Sequence, residues 1–160
     1  MLQESEVVYL DKFEQFSSLR KYSVIGQRRP IYCTSLGKAM IMHRSEEEIG
    51  KLFEGVQFER FTEKTIRDVA SLLAELEKCR ARGWTMDDEE YEPGVQCIGA
   101  PLYDYRGTAI AAISIVWSMY NSKVNPEELA RYLVDTAGSI SKRLGFSDKR
   151  ISQYAGSFMH

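Results

Sequence analysis

Cysteine, histidine and proline are all scarce in this 160-residue sequence. The three cysteines, Cys33, Cys79 and Cys97, lie far apart and form no C-x-x-C pair. An odd, scattered set argues against a disulfide framework or a zinc cluster and is typical of a reducing cytoplasm. No apolar run approaches the ~20 residues that a membrane-spanning helix needs, and the first residues do not read as a signal peptide. We therefore expect a cytoplasmic protein that does not contact a membrane.

An excess of positive charge is also missing. The chain has 21 lysine and arginine residues against 23 aspartate and glutamate residues, which gives a formal net charge of -2. The net charge of the chain therefore does not favour binding to nucleic acid, and we expect any DNA-binding module to lie outside this chain. The composition, with 44% hydrophobic and 28% charged residues, is ordinary for a globular protein, and the length suits one domain with one core.

The common catalytic motifs are absent as well. The sequence contains no H-E-x-x-H, no G-x-S-x-G and no G-x-x-x-x-G-K-[ST]. The only histidines are His43 and His160, and nothing in the sequence places a serine or cysteine nucleophile beside His43. We therefore predict that the protein is not an enzyme and that it holds neither a cofactor nor a metal.

Alternating and continuous apolar runs predict strands at both ends of the chain. The first is residues 7–10, with residues 19–25 as its partner and a polar break at 26–30. Later strands are expected at residues 84–87, 95–103 and 108–117. Gly99 and Pro101 indicate an edge or a bulge in the second of these, and the last one reads as buried on both faces.

Capping residues and helical spacing predict four helices. The first covers residues 34–43, and the second begins at Ser45. The third has a capping-box-like start at Thr65 and Asp68 and ends at Gly83. The fourth extends from Asn125 to Gly145. Strands, helices, strands and a final helix in this order predict an α+β fold with a largely antiparallel sheet. We expect a single domain over residues 1–160 with an ordered core at about 6–146.

Three segments together resemble the C-terminal effector-binding domain of the IclR family of transcription regulators. They are residues 29–40 (RPIYCTSLGKAM), residues 83–90 with 94–101 (GWTMDDEE and GVQCIGAP), and residues 111–115 (AAISI). The resemblance implies a GAF-like antiparallel sheet flanked by helices and a homodimer or homotetramer. It also implies DNA binding only through a separate N-terminal winged helix-turn-helix domain, which we expect to be absent from this chain, and a first strand that is missing or shortened before Glu6.

The resemblance further implies a small-molecule effector, such as a sugar acid or another small carboxylate. Backbone amides at Ser35, Leu36 and Gly37 begin a predicted helix, where free N–H groups and the helix dipole can hold a carboxylate. An ordinary capped helix without a ligand is the alternative. The apolar wall is assigned to Leu36, Met40 and Val95, each of which could equally be a core residue.

Three polar positions correspond by motif to pocket residues of the family. Asp87 can accept a hydrogen bond, Ser114 can donate or accept one, and Cys97 is a weak donor. The alternatives are an exposed acid in an acidic run for Asp87, a small core residue for Cys97 and a backbone-bonded hydroxyl for Ser114. A divalent cation at the acidic run is disfavoured, because adjacent residues of a strand point to opposite faces.

One position departs from the family pattern. Many members carry a second serine two positions after the equivalent of Ser114, where this chain has Val116. The lost hydroxyl argues against a two- or three-carbon oxoacid and favours a larger sugar acid. Two other functions stay open: a GAF-like thiol redox enzyme that uses Cys33 or Cys97, and a purely structural dimerisation module.

Overall fold

The computed structural model describes residues 2–13, 24–120 and 124–147. The strands are β1 (Leu2–Gln3), β2 (Glu6–Val8), β3 (Arg28–Pro30), β4 (Thr85–Asp88), β5 (Val95–Tyr103) and β6 (Ala109–Ser118). The helices are α1 (Ser35–Ile41), α2 (Glu46–Leu52), α3 (Val69–Arg82) and α4 (Pro126–Arg143), with a 3₁₀ turn at Ile31–Cys33 before α1. This architecture confirms the predicted α+β class with antiparallel sheets flanked by helices.

Strands β4, β5 and β6 form one antiparallel sheet in that order. Cys97 lies opposite Asp87 on one side and opposite Val116 on the other, so the three residues form a row across the sheet. The sequence left open an edge or a bulge in β5, and the structure has the bulge: the register shifts at Leu102/Tyr103, while β5 is the central strand of this sheet.

A second antiparallel sheet consists of β1, β2 and β3. The predicted polar break at 26–30 was wrong, because Arg28–Pro30 pairs with Glu6–Val8. Pro30 ends this short strand, where the missing N–H costs little. Most of the predicted partner at residues 19–25 lies outside the described residues, and Ile25 belongs to a turn rather than a strand.

Local capping signals explain where the helices begin and end. Ser45 and Glu48 form the reciprocal capping box of α2, and Asn125 accepts two amide hydrogen bonds at the start of α4. Helix α3 begins after Asp68 and ends at Gly83, whose φ is 82°. Thr65 does not start this helix; its hydroxyl instead accepts hydrogen bonds from the backbone amides of the preceding turn and donates to the carbonyl oxygen of Glu90.

The sheet β4–β5–β6 separates two apolar cores. On one face, Ile98, Ala100 and Trp117 belong to the core that includes buried residues of α4. Helix α1 approaches the other face at Gly99, where a Cβ atom would lie 2.6 Å from the carbonyl oxygen of Ser35. Glycine is needed there because any side chain would push the helix away. Among the described residues, no helix combines the length and the apolar character needed to cross a membrane.

Candidate ligand-binding cavity

A cavity of about 420 Å³ lies between residues 7–13, helix α1 and strand β6. Its lining draws on three parts of the chain that are distant in sequence. The lining residues are Val7, Val8, Tyr9, Leu10, Asp11, Lys12, Phe13, Leu36, Met40, Leu102, Ala111, Ala112, Ile113, Ser114 and Val116. Most of these side chains are apolar, with a few polar groups among them, as in many small-molecule sites.

Helix α1 contributes Leu36 and Met40 to the cavity wall. These residues are four positions apart and therefore share one face of the helix. The hydroxyl of Thr34 caps this helix and accepts a hydrogen bond from the backbone amide of Gly37 at 3.2 Å. The Gly37 amide is thus already bonded, and both Gly37 and Ser35 are buried. A Cβ atom on Gly37 would overlap the backbone of Ile31, so the helix start packs tightly against the 3₁₀ turn.

Strand β6 contributes Ser114 and Val116, which are two positions apart and share one face of the strand. The expectation that this strand is buried on both faces was wrong, because Ser114 is exposed in the described structure. No described residue makes a hydrogen bond to its hydroxyl. Ser114 is therefore available at the cavity surface.

Asp87, Val95 and Cys97 lie in the protein interior rather than in the cavity lining. All three are buried, and Val116 packs against Val95 and Cys97. The carboxylate of Asp87 accepts a hydrogen bond from the backbone amide of Glu90 at 2.8 Å. The structure thus brings Leu36, Met40 and Ser114 to the cavity and leaves these three residues behind its wall.

Tyr9 and Lys12 are polar residues of the cavity that sequence reasoning missed. Both belong to the segment that follows β2 and covers the cavity. Their local sequence carries no signal of a site, because their role depends on how this segment packs against α1 and β6. Only the tertiary structure brings them into the same cavity lining as Ser114.

A buried ion pair connects α1 to the loop after β4. The ammonium of Lys38 lies 2.5 Å from a carboxylate oxygen of Glu90, and the Lys38 side chain is fully buried. Burial disfavours the charge on Lys38, but the adjacent Glu90 outweighs this effect and raises the pKa of Lys38. Burial raises the pKa of Glu90 to about 7, although Lys38 opposes the shift. Sequence reasoning did not identify this pair.

All three cysteines are buried, and none of them forms a disulfide bond. Burial raises the pKa of the Cys33 thiol, and the nearby carboxylates of Asp87 and Glu90 raise it further. Burial also raises the pKa of Cys79. A thiol with a raised pKa carries little thiolate, so this environment disfavours redox catalysis at Cys33. The described residues contain no group of three or more histidine, cysteine or acidic side chains that could hold a metal ion.

Comparison with known proteins supports a regulatory domain. The family described as "Bacterial transcriptional regulator IclR C-terminal" matches residues 1–142. The HTH-type transcriptional regulator KdgR of Escherichia coli is 36% identical over 148 residues, which cover 92% of this chain and 56% of KdgR. The chain thus spans about half the length of the KdgR regulators of Escherichia coli and Dickeya chrysanthemi. The names of these relatives describe regulators or repressors, which supports the prediction that this domain is not an enzyme.

Solved structures agree with this assignment. The C-terminal domain of E. coli KdgR superposes with a TM-score of 0.78 at 34% identity and covers 91% of this chain and 84% of that domain. The inducer-binding domain of PobR from Acinetobacter, solved as a double mutant with 3-hydroxybenzoic acid, has a TM-score of 0.73 at 27% identity and covers 88% of this chain and 83% of that one. The chain therefore belongs to the IclR family of bacterial transcriptional regulators, and it corresponds to their C-terminal domain.

Proposed function

We propose that this domain senses a small acid, most suitably a sugar acid, for a transcription regulator. The observation that carries the proposal is the cavity of about 420 Å³ between residues 7–13, α1 and β6. This volume lies in the range of small-molecule sites, about 300–1,000 Å³. The complex of the related PobR domain with 3-hydroxybenzoic acid supports an acid as the ligand class.

The polar groups of the cavity suit an anion that also carries hydroxyl groups. Lys12 supplies a positive charge, the carboxylate of Asp11 can accept hydrogen bonds from ligand hydroxyl groups, and the exposed hydroxyl of Ser114 can donate or accept one. Leu36, Met40 and Val116 supply apolar contacts to the carbon skeleton. Val116 offers no hydrogen bond, which favours a larger sugar acid over a two- or three-carbon oxoacid. Asp87 and Cys97 would support this wall from behind.

The signal would pass from the cavity to the oligomer. A ligand that contacts Leu36 and Met40 favours one position of α1, and it can shift a conformational equilibrium only by its difference in affinity for the two states. In the full-length regulator, a homodimer or homotetramer would carry separate N-terminal winged helix-turn-helix domains, and the shift would change their spacing on DNA. The present domain would then bind the ligand but not the operator, controlling a catabolic operon only in the full-length protein.

A thermal-shift and titration screen tests ligand binding. The probes are D-gluconate, pyruvate and 3-hydroxybenzoate, which represent sugar acids, short oxoacids and aromatic acids. A ligand at 100 times its Kd should stabilise the fold by about 2.7 kcal/mol, which corresponds to several degrees in unfolding temperature. No stabilisation by any of the three classes would contradict the proposal.

A cavity-filling variant locates the site. Leu36→Trp places a larger ring in the cavity and should abolish the ligand-induced shift. Leu144→Trp is the matched control, because Leu144 is 42% exposed and lies outside the cavity lining. Met40→Phe serves as a second filling variant if Leu36→Trp unfolds below the wild-type temperature. A retained shift in a folded cavity-filling variant would mean that the ligand binds elsewhere.

Two other functions can be tested with the same material. A thiol redox enzyme should lose peroxide or sulfoxide turnover when Cys33 and Cys97 are replaced by serine, whereas a sensor has no such turnover to lose. A purely structural dimerisation module should assemble equally well with and without every probe. Sedimentation velocity with each probe measures this assembly directly.

A further inference from the structure

Tyr9 occupies a fixed position at one wall of the cavity. Its backbone amide donates a hydrogen bond to the carbonyl oxygen of Gln27 at 3.0 Å, and its carbonyl oxygen accepts one from the amide of Gly26 at 2.7 Å. These two bonds extend the pairing of β2 with β3 by one residue. The side chain of Tyr9 therefore projects from a backbone that two hydrogen bonds hold against residues 26 and 27.

The phenol ring of Tyr9 is largely buried, with 8% exposure, and it lines the cavity. The guanidinium carbon of Arg29 lies 5.8 Å from the centre of this ring, so a buried cation packs against the aromatic face. Burial raises the pKa of Tyr9 despite the opposing effect of Arg29, and the nearby side chains of Cys97 and Asp87 raise it further. The hydroxyl therefore stays protonated at neutral pH and keeps its donor.

No described residue forms a hydrogen bond with the Tyr9 hydroxyl. Fully buried hydroxyl groups nearby are satisfied by the protein: Thr85 donates to the carbonyl oxygen of Ser35 and Thr34 donates to that of Pro30. The Tyr9 hydroxyl differs, because it is not one of the fully buried polar atoms that lack a hydrogen-bond partner and therefore keeps accessible surface. It belongs to a residue of the cavity lining, where a bound ligand can accept its hydrogen bond.

We propose that Tyr9 is a specificity-determining residue of this cavity, whose hydroxyl donates a hydrogen bond to an oxygen atom of the bound acid. The inference rests on the proposed sensing function and assigns a role to a residue outside the predicted site. Tyr9 and Lys12 come from the same segment, so these two side chains would recognise the anionic end of the ligand. Ser114, which β6 contributes to the lining, would then contact a hydroxyl group farther along the ligand.

Isothermal titration of Tyr9→Phe with D-gluconate, pyruvate and 3-hydroxybenzoate tests the inference. The substitution removes only the hydroxyl and keeps the ring that packs against Arg29. Loss of a hydrogen bond to a charged group should weaken binding of the probe preferred by the wild type by roughly 10- to 100-fold. Without ligand, the variant should unfold at or above the wild-type temperature, because no described residue loses a hydrogen bond.

Tyr105→Phe is the matched control. Tyr105 is 73% exposed and outside the cavity, and the guanidinium carbon of Arg106 lies 5.6 Å from its ring centre, so it is a tyrosine beside an arginine at a site away from the cavity. This control should bind every probe as the wild type does. Unchanged affinity in Tyr9→Phe would overturn the role of Tyr9 and leave the sensing function intact.

Two further outcomes would also count against the role of Tyr9. A lower unfolding temperature of unliganded Tyr9→Phe would show that the hydroxyl has a structural partner, which contradicts the inference even if affinity falls. If the wild type binds none of the three probes, the proposed function fails, and the role of Tyr9 fails with it. Weaker binding at unchanged or higher stability is the result that supports the inference.

Discussion

Removing one partner of the buried ion pair between Lys38 and Glu90 should strongly destabilise the domain. Lys38→Met leaves the Glu90 carboxyl group without its cation in a site where its side chain is 10% exposed. Breaking a buried pair from one side costs about 3–5 kcal/mol, a large part of the ~5–15 kcal/mol that stabilises a typical domain. The unfolding temperature should therefore fall by roughly 10 °C.

Urea unfolding followed by tryptophan fluorescence measures this effect. The double variant Lys38→Met/Glu90→Gln removes both charges and should recover most of the lost stability, because an uncharged pair of similar volume is often as stable as a buried ion pair. Lys51→Met is the control for charge alone. Lys51 lies 2.6 Å from Glu47, but both side chains are more than two-thirds exposed, so this loss should be about 0.5 kcal/mol or less.

The loss of stability in Lys38→Met should depend on pH, and the direction follows from the pKa of Glu90. Burial raises the pKa of Glu90 to about 7, so the folded state holds this proton more tightly than the unfolded chain does. The contribution of Glu90 to stability is fully present below its ordinary pKa and is lost as the pH rises through about 7. Lys38→Met should therefore lose less stability at about pH 5 than at about pH 8. The reasoning would be refuted if Lys38→Met lost little stability, if that loss were the same at both pH values, and if the double variant recovered none of it.

Two further predictions concern the packing of α1 and the choice of ligand. Gly99→Ala should destabilise the fold by about 1–3 kcal/mol in urea unfolding, because its Cβ atom would lie 2.6 Å from the backbone oxygen of Ser35. Gly138→Ala, in α4, should instead stabilise the fold by about 0.5–1 kcal/mol, because an added Cβ atom would meet nothing within 4 Å outside the adjoining helix backbone. Val116→Ser should strengthen pyruvate binding relative to D-gluconate by about tenfold in titration, because it adds a hydroxyl to the cavity wall. An unchanged ratio would remove Val116 from ligand choice.

Features that depend on neighbouring residues were the most predictable from the sequence. The capping box at Ser45 and the glycine that ends α3 act within one helical turn, so local sequence determines them. Strand β3 was missed because Arg28, Arg29 and Pro30 have low strand propensity, and only their pairing with Glu6–Val8 makes them a strand.

The cavity was only partly predictable for the same reason. Family resemblance and helical spacing identified Leu36, Met40 and Ser114, which all line it. Residues 7–13 carry no pattern that distinguishes a cavity wall from an ordinary connecting segment, so Tyr9 and Lys12 were not identified. The apolar run of β6 predicted burial on both faces, but one face borders the cavity and leaves Ser114 exposed.

The buried ion pair of Lys38 and Glu90 couples helix α1, which lines the cavity, to the loop after β4. Helix α1 has seven residues, of which six are buried, so a charged residue in it has no solvent-facing side to occupy. Its partner Glu90 is 52 positions away and is held by the hydrogen bonds of its amide to Asp87 and of its carbonyl oxygen to Thr65. Because the helix that supplies Leu36 and Met40 to the cavity is joined by this ion pair to the loop after β4, a ligand that displaces α1 must also move that loop or break the pair. We therefore expect Lys38→Met/Glu90→Gln to bind the ligand normally but to transmit less of the conformational change, measured as a smaller ligand-induced protection of residues 88–94 in hydrogen exchange.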